Sequence, residues 1–332
     1  MISAQILHLT LIILGAIGFI VSAYIFMKKR SGKKVVCPFR GSCDRVITSS
    51  YGKFFGISLE IFGMCYYALI VLFHILFLVS PFFSHVVFLY GHVVFSLGAV
   101  LFSLYLLGIQ LFVLRTWCTW CILSMLTSIS ICVLLFIGYH MTIPVALNEY
   151  VRVSTILHLL GVSLGLGAAT ITDVFFFRFL KDYKISREES QTLDVLSEVI
   201  WVALGILFIS GILLFIPKAE VLTESGKFIA KMIALVVITL NGFALNLVVA
   251  PKLIELHFAG EDASETKELR RLRKLAFALG GISITSWYFV FVLGSLRGIT
   301  FSLVPLVAIY VALLALAIIG SQIFGAILHK KK

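Results

Sequence analysis

Nine apolar stretches, each about twenty residues or longer, divide the 332-residue chain. They run over approximately 5–27, 57–79, 86–114, 119–139, 153–177, 193–216, 228–250, 275–296 and 302–328. A hydrocarbon layer about 30 Å thick takes roughly 20 helical residues to cross. The stretches are too long and too rich in Leu and Phe for the alternating strands, about ten residues each, of an outer-membrane barrel. Helices also satisfy their own backbone groups in lipid. The composition agrees: 61% of residues are hydrophobic and 13% charged, against about 45–50% and 25% in soluble domains. An ordinary soluble protein and a disordered one are both excluded. The expectation is an all-α polytopic membrane protein of about nine transmembrane helices. The first stretch is too long for a secretory signal, and no basic region precedes it.

The polar segments are short. Residues 28–56 form a basic loop with two cysteines, and 251–274, opening with Pro251, read as an exposed helical extension. Residues 140–152 read as a connector, where Pro144, Asn148 and Glu149 break the apolar pattern. A boundary there gives two domains, 1–140 with four spans and 141–332 with five. No convincing internal repeat links them.

The formal net charge is +11. In a multi-span protein such an excess reports orientation rather than nucleic-acid binding. With nine spans, 22 of the 27 Lys and Arg fall in loops on one side and 4 on the other, and Lys231 lies within a span. The positive-inside rule puts the basic side in the cytoplasm. The N-terminus then faces out, the C-terminus in, and the cysteine-bearing loops face the cytoplasm of a multi-pass cell-membrane protein.

All six cysteines, Cys37, Cys43, Cys65, Cys118, Cys121 and Cys132, lie in the first 132 residues. Cys118 and Cys121 form C-T-W-C at the start of the fourth span. A helix N-terminus stabilises a thiolate, the species that attacks in thiol–disulfide exchange. Cys37 and Cys43 form C-P-F-R-G-S-C in the loop after the first span, on the same membrane face. A mobile pair beside a fixed pair suits a two-step relay, ending at membrane depth where a lipid-soluble quinone can reach. The same four cysteines could instead ligate zinc. Cys65 and Cys132, inside spans, read as buried small hydrophobes.

Residues 1–140 resemble the prokaryotic vitamin K epoxide reductase family. The resemblance rests on C-P-F-R-G-S-C-D-R-V at 37–46, T-S-S-Y-G-K-F-F-G at 48–56, I-F-G-M-C-Y-Y at 61–67 and W-C-T-W-C at 117–121. It implies a four-helix bundle around a quinone, ubiquinone or menaquinone, with a half-helix lid after Cys43. It implies that Cys37 and Cys43 exchange with a thioredoxin-like partner. Cys43 would bridge transiently to Cys118, and Cys121 would sit beside the quinone. Ser49 holds the family's serine position, with Ser50 its neighbour; for both, helix capping or backbone hydrogen bonding is the alternative. Trp117, Trp120 and the Phe-rich spans, Phe62 among them, could line the quinone cavity. The chain has no third C-x-x-C, so the thioredoxin-like partner is expected to be separate.

The second half carries His158, Asp173, Glu198, Lys231, Asn241 and Asn246 in or near its spans. Ionisable groups in spans are functional candidates, although Asp173, Glu198 and Lys231 could reach an interface by snorkelling. L-H-L-L-G-V-S-L-G-L-G and F-I-A-K-M-I-A-L-V-V-I resemble copper-resistance D and HemJ-like membrane proteins, which implies haem b near His158 and Lys231. The glycines Gly161, Gly165 and Gly167 also serve close helix packing. Two functions therefore compete. One is a membrane thiol–disulfide oxidoreductase that takes electrons from a thioredoxin-like protein and reduces a quinone, supporting disulfide formation. The other is a transporter or a haem- or metal-binding membrane protein with structural cysteines.

Overall fold

The computed structural model describes residues 4–39, 41–179, 187–249, 252, 267–296 and 301–330. Arg40, the loop charges Lys181 and Lys184, the side chains of Ser50 and Asn246, and most of the expected 251–274 extension lie outside the described residues. Among the described residues, nine helices are long and apolar enough to cross a membrane. The protein is an all-α, multi-pass membrane protein.

Two compact units divide the chain. The first is Met1–Ile156 with Phe208–Pro217, and the second is Leu157–Leu207 with Lys218–Lys332. In the first, α1 (Ala4–Arg30) packs against α3 (Leu59–Val79) and α5 (Thr119–Gly138). Helix α4 (Val86–Gly108) packs against α5 and, more lightly, α3, and runs on into a π-helical turn at Ile109–Val113. The closeness of α1 to α3 has a local cause: a Cβ on Gly18 would overlap the Tyr67 ring. Glycine lets the ring lie on the helix backbone, and the Tyr67 hydroxyl reaches past it to α5. There it donates to the Ser124 carbonyl at 2.6 Å and meets the Ser128 hydroxyl at 2.9 Å. One buried tyrosine therefore ties three helices together, with its polar tip satisfied as burial requires.

The loop after α1 has more structure than its polar sequence suggests. It holds a five-residue helix α2 (Cys43–Ile47), a 3₁₀ turn at Ser50–Gly52, and a hairpin of β1 (Lys53–Phe54) and β2 (Ile57–Ser58). Phe55 and Gly56, with φ of 48° and 77°, make its two-residue turn. Positive φ at both central positions is the twist a tight hairpin needs, here with Phe where Asn or Asp is usual. The connector at 140–152 also departs from expectation. It forms a helix, α6 (Thr142–Glu149), that buries Ile143, Ala146 and Leu147. Pro144 does not break it, because a proline in the first turn removes no intrahelical hydrogen bond.

In the second unit, α10 (Gly226–Phe243), α11 (Lys267–Ser295) and α12 (Leu303–Lys330) pack on one another. They enclose Ala230, Ala234, Phe289, Leu293, Leu306 and Tyr310. Parts of α7 (Val151–Phe179) and α8 (Arg187–Phe215) complete the unit, with Leu204, Leu207 and Trp287 in a second cluster. Gly165 admits the Trp287 ring, as the small-residue reading expects. Asp173 does not snorkel: it is 6% exposed, and its Oδ2 has no hydrogen-bond partner.

Candidate redox site

The site grows from two short segments brought together at one end of the first bundle. Cys37 and Cys43 form a disulfide, with Cα atoms 5.5 Å apart. Its two ends differ: Cys37 is half-buried, whereas Cys43 is 1% exposed. The disulfide occupies two of the four thiolates that a zinc site would have needed. Among the described residues no group of three or more His, Cys, Asp or Glu is arranged to hold a metal ion.

Cys118 is fully buried and caps α5: its Sγ accepts the Cys121 backbone N–H at 3.4 Å. The Cys118 N–H in turn donates to Gln110 Oε1 at 2.8 Å. Gln110 sits in the π-helical turn that ends the third span. The loop pair is fastened to the helix pair by two hydrogen bonds. Ser42 N–H donates to the Trp117 carbonyl at 3.2 Å, and Trp120 Nε1 donates to the Val36 carbonyl at 3.0 Å. As a result Cys43, Cys118, Val21, Ile25, Val46 and Ile47 share one apolar cluster, with Cys37 and Cys121 packed against it.

The Cys118 thiol is held below the ordinary thiol range, first by the Cys121 thiol beside it and then by the backbone N–H groups of Cys121 and Trp120, against the opposing effect of burial. Thiolate at Cys118 therefore forms at a lower pH than in a free cysteine. In a chain that keeps only Cys118 and Cys121, titration of thiolate absorbance is expected to show this early ionisation. Cys121→Ala is expected to move the Cys118 midpoint up, and an unchanged midpoint would remove Cys121 as the cause.

Next to the cysteines lies a largely apolar cavity of about 480 Å³, a volume in the range of small-molecule sites. Cys121, Ser49, Phe62, Glu60, Tyr66 and Ser128 are on its wall. Ser49 also donates to the Val46 carbonyl at 2.7 Å, so cavity lining and backbone hydrogen bonding coexist at this residue. Trp117 and Trp120 lie off the wall. Trp117 is 51% exposed, and Trp120 stacks obliquely on Tyr24. Glu60 is buried and paired with Lys29, Nζ to Oε1 at 3.2 Å, while the same ammonium reaches the Gly52 carbonyl at 3.4 Å. Cys132 is buried as expected, but Cys65 is exposed on the outside of α3.

Residues 9–136 match the vitamin K epoxide reductase family. This segment is a vitamin K epoxide reductase family segment. It contains both cysteine pairs and much of the cavity wall, so the site has an oxidoreductase context. No curated protein and no solved structure matches the chain. The family match ends before the second unit, and haem at His158 and Lys231 finds no support.

Glu60, Lys29, Gln110 and Tyr66 were not among the sequence-based candidates. Glu60 was findable, as a carboxylate in the first turn of an apolar span. Gln110 was not, because its importance depends on where the π-helical turn aims its amide.

Proposed function

We propose that the first unit is a quinone-linked thiol–disulfide oxidoreductase that draws electrons from a separate thioredoxin-like dithiol. The observation that supports it most is the packing of both cysteine pairs in one cluster, with Cys121 on the wall of an apolar cavity.

The asymmetry of exposure supports one order of events. A partner thiolate attacks Cys37 Sγ, the accessible end, and Cys43 leaves as thiolate into the buried cluster. The partner's second thiolate then attacks its own mixed disulfide, freeing Cys37 and leaving the partner oxidised. Cys43 attacks Cys118 Sγ in an oxidised Cys118–Cys121 pair, and Cys121 leaves as thiolate beside the cavity. Cys37 attacks Cys43 Sγ, which restores the first disulfide and frees Cys118. Two electrons have then passed from the partner to the helix pair. A quinone in the cavity accepts two electrons and two protons, and Cys118 closes on Cys121 as the pair is reoxidised. Exchange of this kind is fast when the attacker is a thiolate and the leaving thiol is acidic, which suits the low pKa of Cys118.

The test is reduction of ubiquinone-1 by reduced thioredoxin with the purified full chain. Turnover that depends on Cys43 and Cys121 supports the reading, and undiminished turnover without either cysteine overturns it. The 22-to-4 loop charges favour a cytoplasmic position for the cysteine loops. Labelling of Cys37 in intact cells by a membrane-impermeant thiol reagent, after mild reduction, is expected to fail until the cells are opened. Ready labelling from outside reverses the orientation.

A further inference from the structure

Three histidines from three different helices meet inside the first bundle, at the end away from the cysteines. His8 lies one turn into α1, His74 near the end of α3, and His92 in the second turn of α4. They are 6%, 1% and 5% exposed. His8 Nδ1 and His74 Nδ1 are hydrogen-bonded at 2.9 Å, and the His74 and His92 rings lie 4.7 Å apart. The Tyr139 hydroxyl, in the half-buried residue that caps the end of α5, sits 3.3 Å from His8 Nε2. Burying three imidazoles in a membrane bundle is costly, and the relay of cysteines makes no use of them.

The hydrogen bonds impose a direction. When Tyr139 donates to His8 Nε2, His8 must carry its proton on Nδ1. It then donates to His74 Nδ1, and the His74 proton is on Nε2. His74 Nε2 is buried and has no partner, and neither has His92 Nε2. The next polar groups inward are also buried and unpartnered. They are Ser96 Oγ, one helical turn beyond His92 on α4, and the Tyr66 hydroxyl, eight residues before His74 on α3. Eight residues at 1.5 Å rise cover about 12 Å. The Ser96 and Tyr66 hydroxyls are neighbours, without a hydrogen bond of good geometry between them. Tyr66 lines the cavity. Helix α5 separates Cys118 from Tyr139 by its full length of 20 residues, or about 30 Å, so Tyr139 and the cysteines belong to opposite membrane faces.

We propose that this row is a proton path from the membrane face opposite the cysteines, through Tyr139, His8, His74 and His92 and past Ser96, to Tyr66 at the cavity. The inference rests on the cavity being the quinone site. Buried donors and acceptors with unused hydrogen-bonding capacity, in a row from one end of the bundle to the cavity, are what a water-assisted relay requires. The chemistry balances. Oxidation of the Cys118 and Cys121 thiols to their disulfide releases two protons on the cysteine side, with two electrons passing to the ring. Tyr66 hands on two protons that entered beside Tyr139. Each turnover therefore moves the equivalent of two protons across the membrane. With the cysteine loops in the cytoplasm, an inward proton gradient would pull thiol oxidation forward against a reducing cytosol.

The test uses the full chain in liposomes enclosing a pH-sensitive dye, with reduced thioredoxin outside and ubiquinone-1 as acceptor. Only molecules with cysteines outward then turn over. In the wild type the lumen is expected to become alkaline in step with quinone reduction, by two protons per quinone, and an uncoupler should abolish the change. Tyr66→Phe and His74→Gln are expected to lose the lumenal change and to slow reduction at least tenfold. Wild-type quinone reduction without lumenal alkalinisation overturns the path, as does an unaltered proton-to-quinone ratio in both variants. If one variant fails to fold, the ratio in the other decides. A wild type that reduces no ubiquinone-1 defeats the quinone reading itself, and the path with it.

Discussion

Cys121→Ala is expected to bring thioredoxin-driven quinone reduction to background, a loss on the order of a thousandfold or more. The loss should come with a diagnostic covalent species. Cys121 is the cysteine on the cavity wall, so without it no cysteine among the lining residues would face the proposed quinone. Cys118 would keep its place in the cluster shared with Cys43. A Cys118 thiolate can then attack Cys43 Sγ in the loop disulfide and free Cys37, with no Cys121 to resolve the product. Mass mapping of peptides should therefore show a Cys43–Cys118 bridge in this variant and little of it in the wild type. Cys43→Ala should be as inactive but without the bridge. Residual activity in Cys43→Ala near that of the wild type would mean that the partner reaches Cys118 directly, which its complete burial opposes.

Lys29→Met is expected to destabilise the first unit by roughly 3 kcal/mol, because it leaves the Glu60 carboxylate buried and unpaired. Glu60 is 6% exposed at its side chain and Lys29 21%, so the pair is shielded far more than a surface ion pair. Lys29 also reaches the Gly52 carbonyl, which ties the turn after α2 to the end of α1. Losing it should therefore loosen the segment that carries Ser49 over the cavity. Removing both charges in Lys29→Met with Glu60→Gln should recover much of the stability, since a neutral amide costs less to bury than an ion. Unfolding in mixed SDS and mild-detergent micelles measures both variants. Equal stability of Lys29→Met and wild type would show that Glu60 is solvated from the cavity rather than held by its partner.

The spanning helices were legible because lipid demands long apolar runs, and a run of twenty such residues has few alternatives. The cysteine pairs were legible because a two-residue gap on a helix start and a six-residue gap in a loop constrain geometry locally. The hairpin at Lys53–Ser58 was missed because its turn uses Phe55 rather than the usual Asn or Asp. Helix α6 was missed because Pro144 reads as a breaker until it is seen to lie in the first turn. The tryptophans beside the C-x-x-C were expected on the cavity wall. The chain instead spends the Trp120 indole on the Val36 carbonyl, fastening one loop to the other.

By itself, then, the sequence determined the solvent, the number of apolar spans and the pairing of cysteines in the chain, because each depends on composition or on spacing within a few residues. The tertiary structure alone decided which groups meet. His8, His74 and His92 are scattered over 85 positions, and no motif links them. Gln110, Glu60 and Lys29 lie on three different spans, far apart in sequence. Only the packing of α1, α3, α4 and α5 puts the imidazoles in one row, the amide on the Cys118 N–H and the ion pair at the cavity wall. Contacts between helices depend on side-chain registers tens of residues apart, and no local pattern in the chain encodes them.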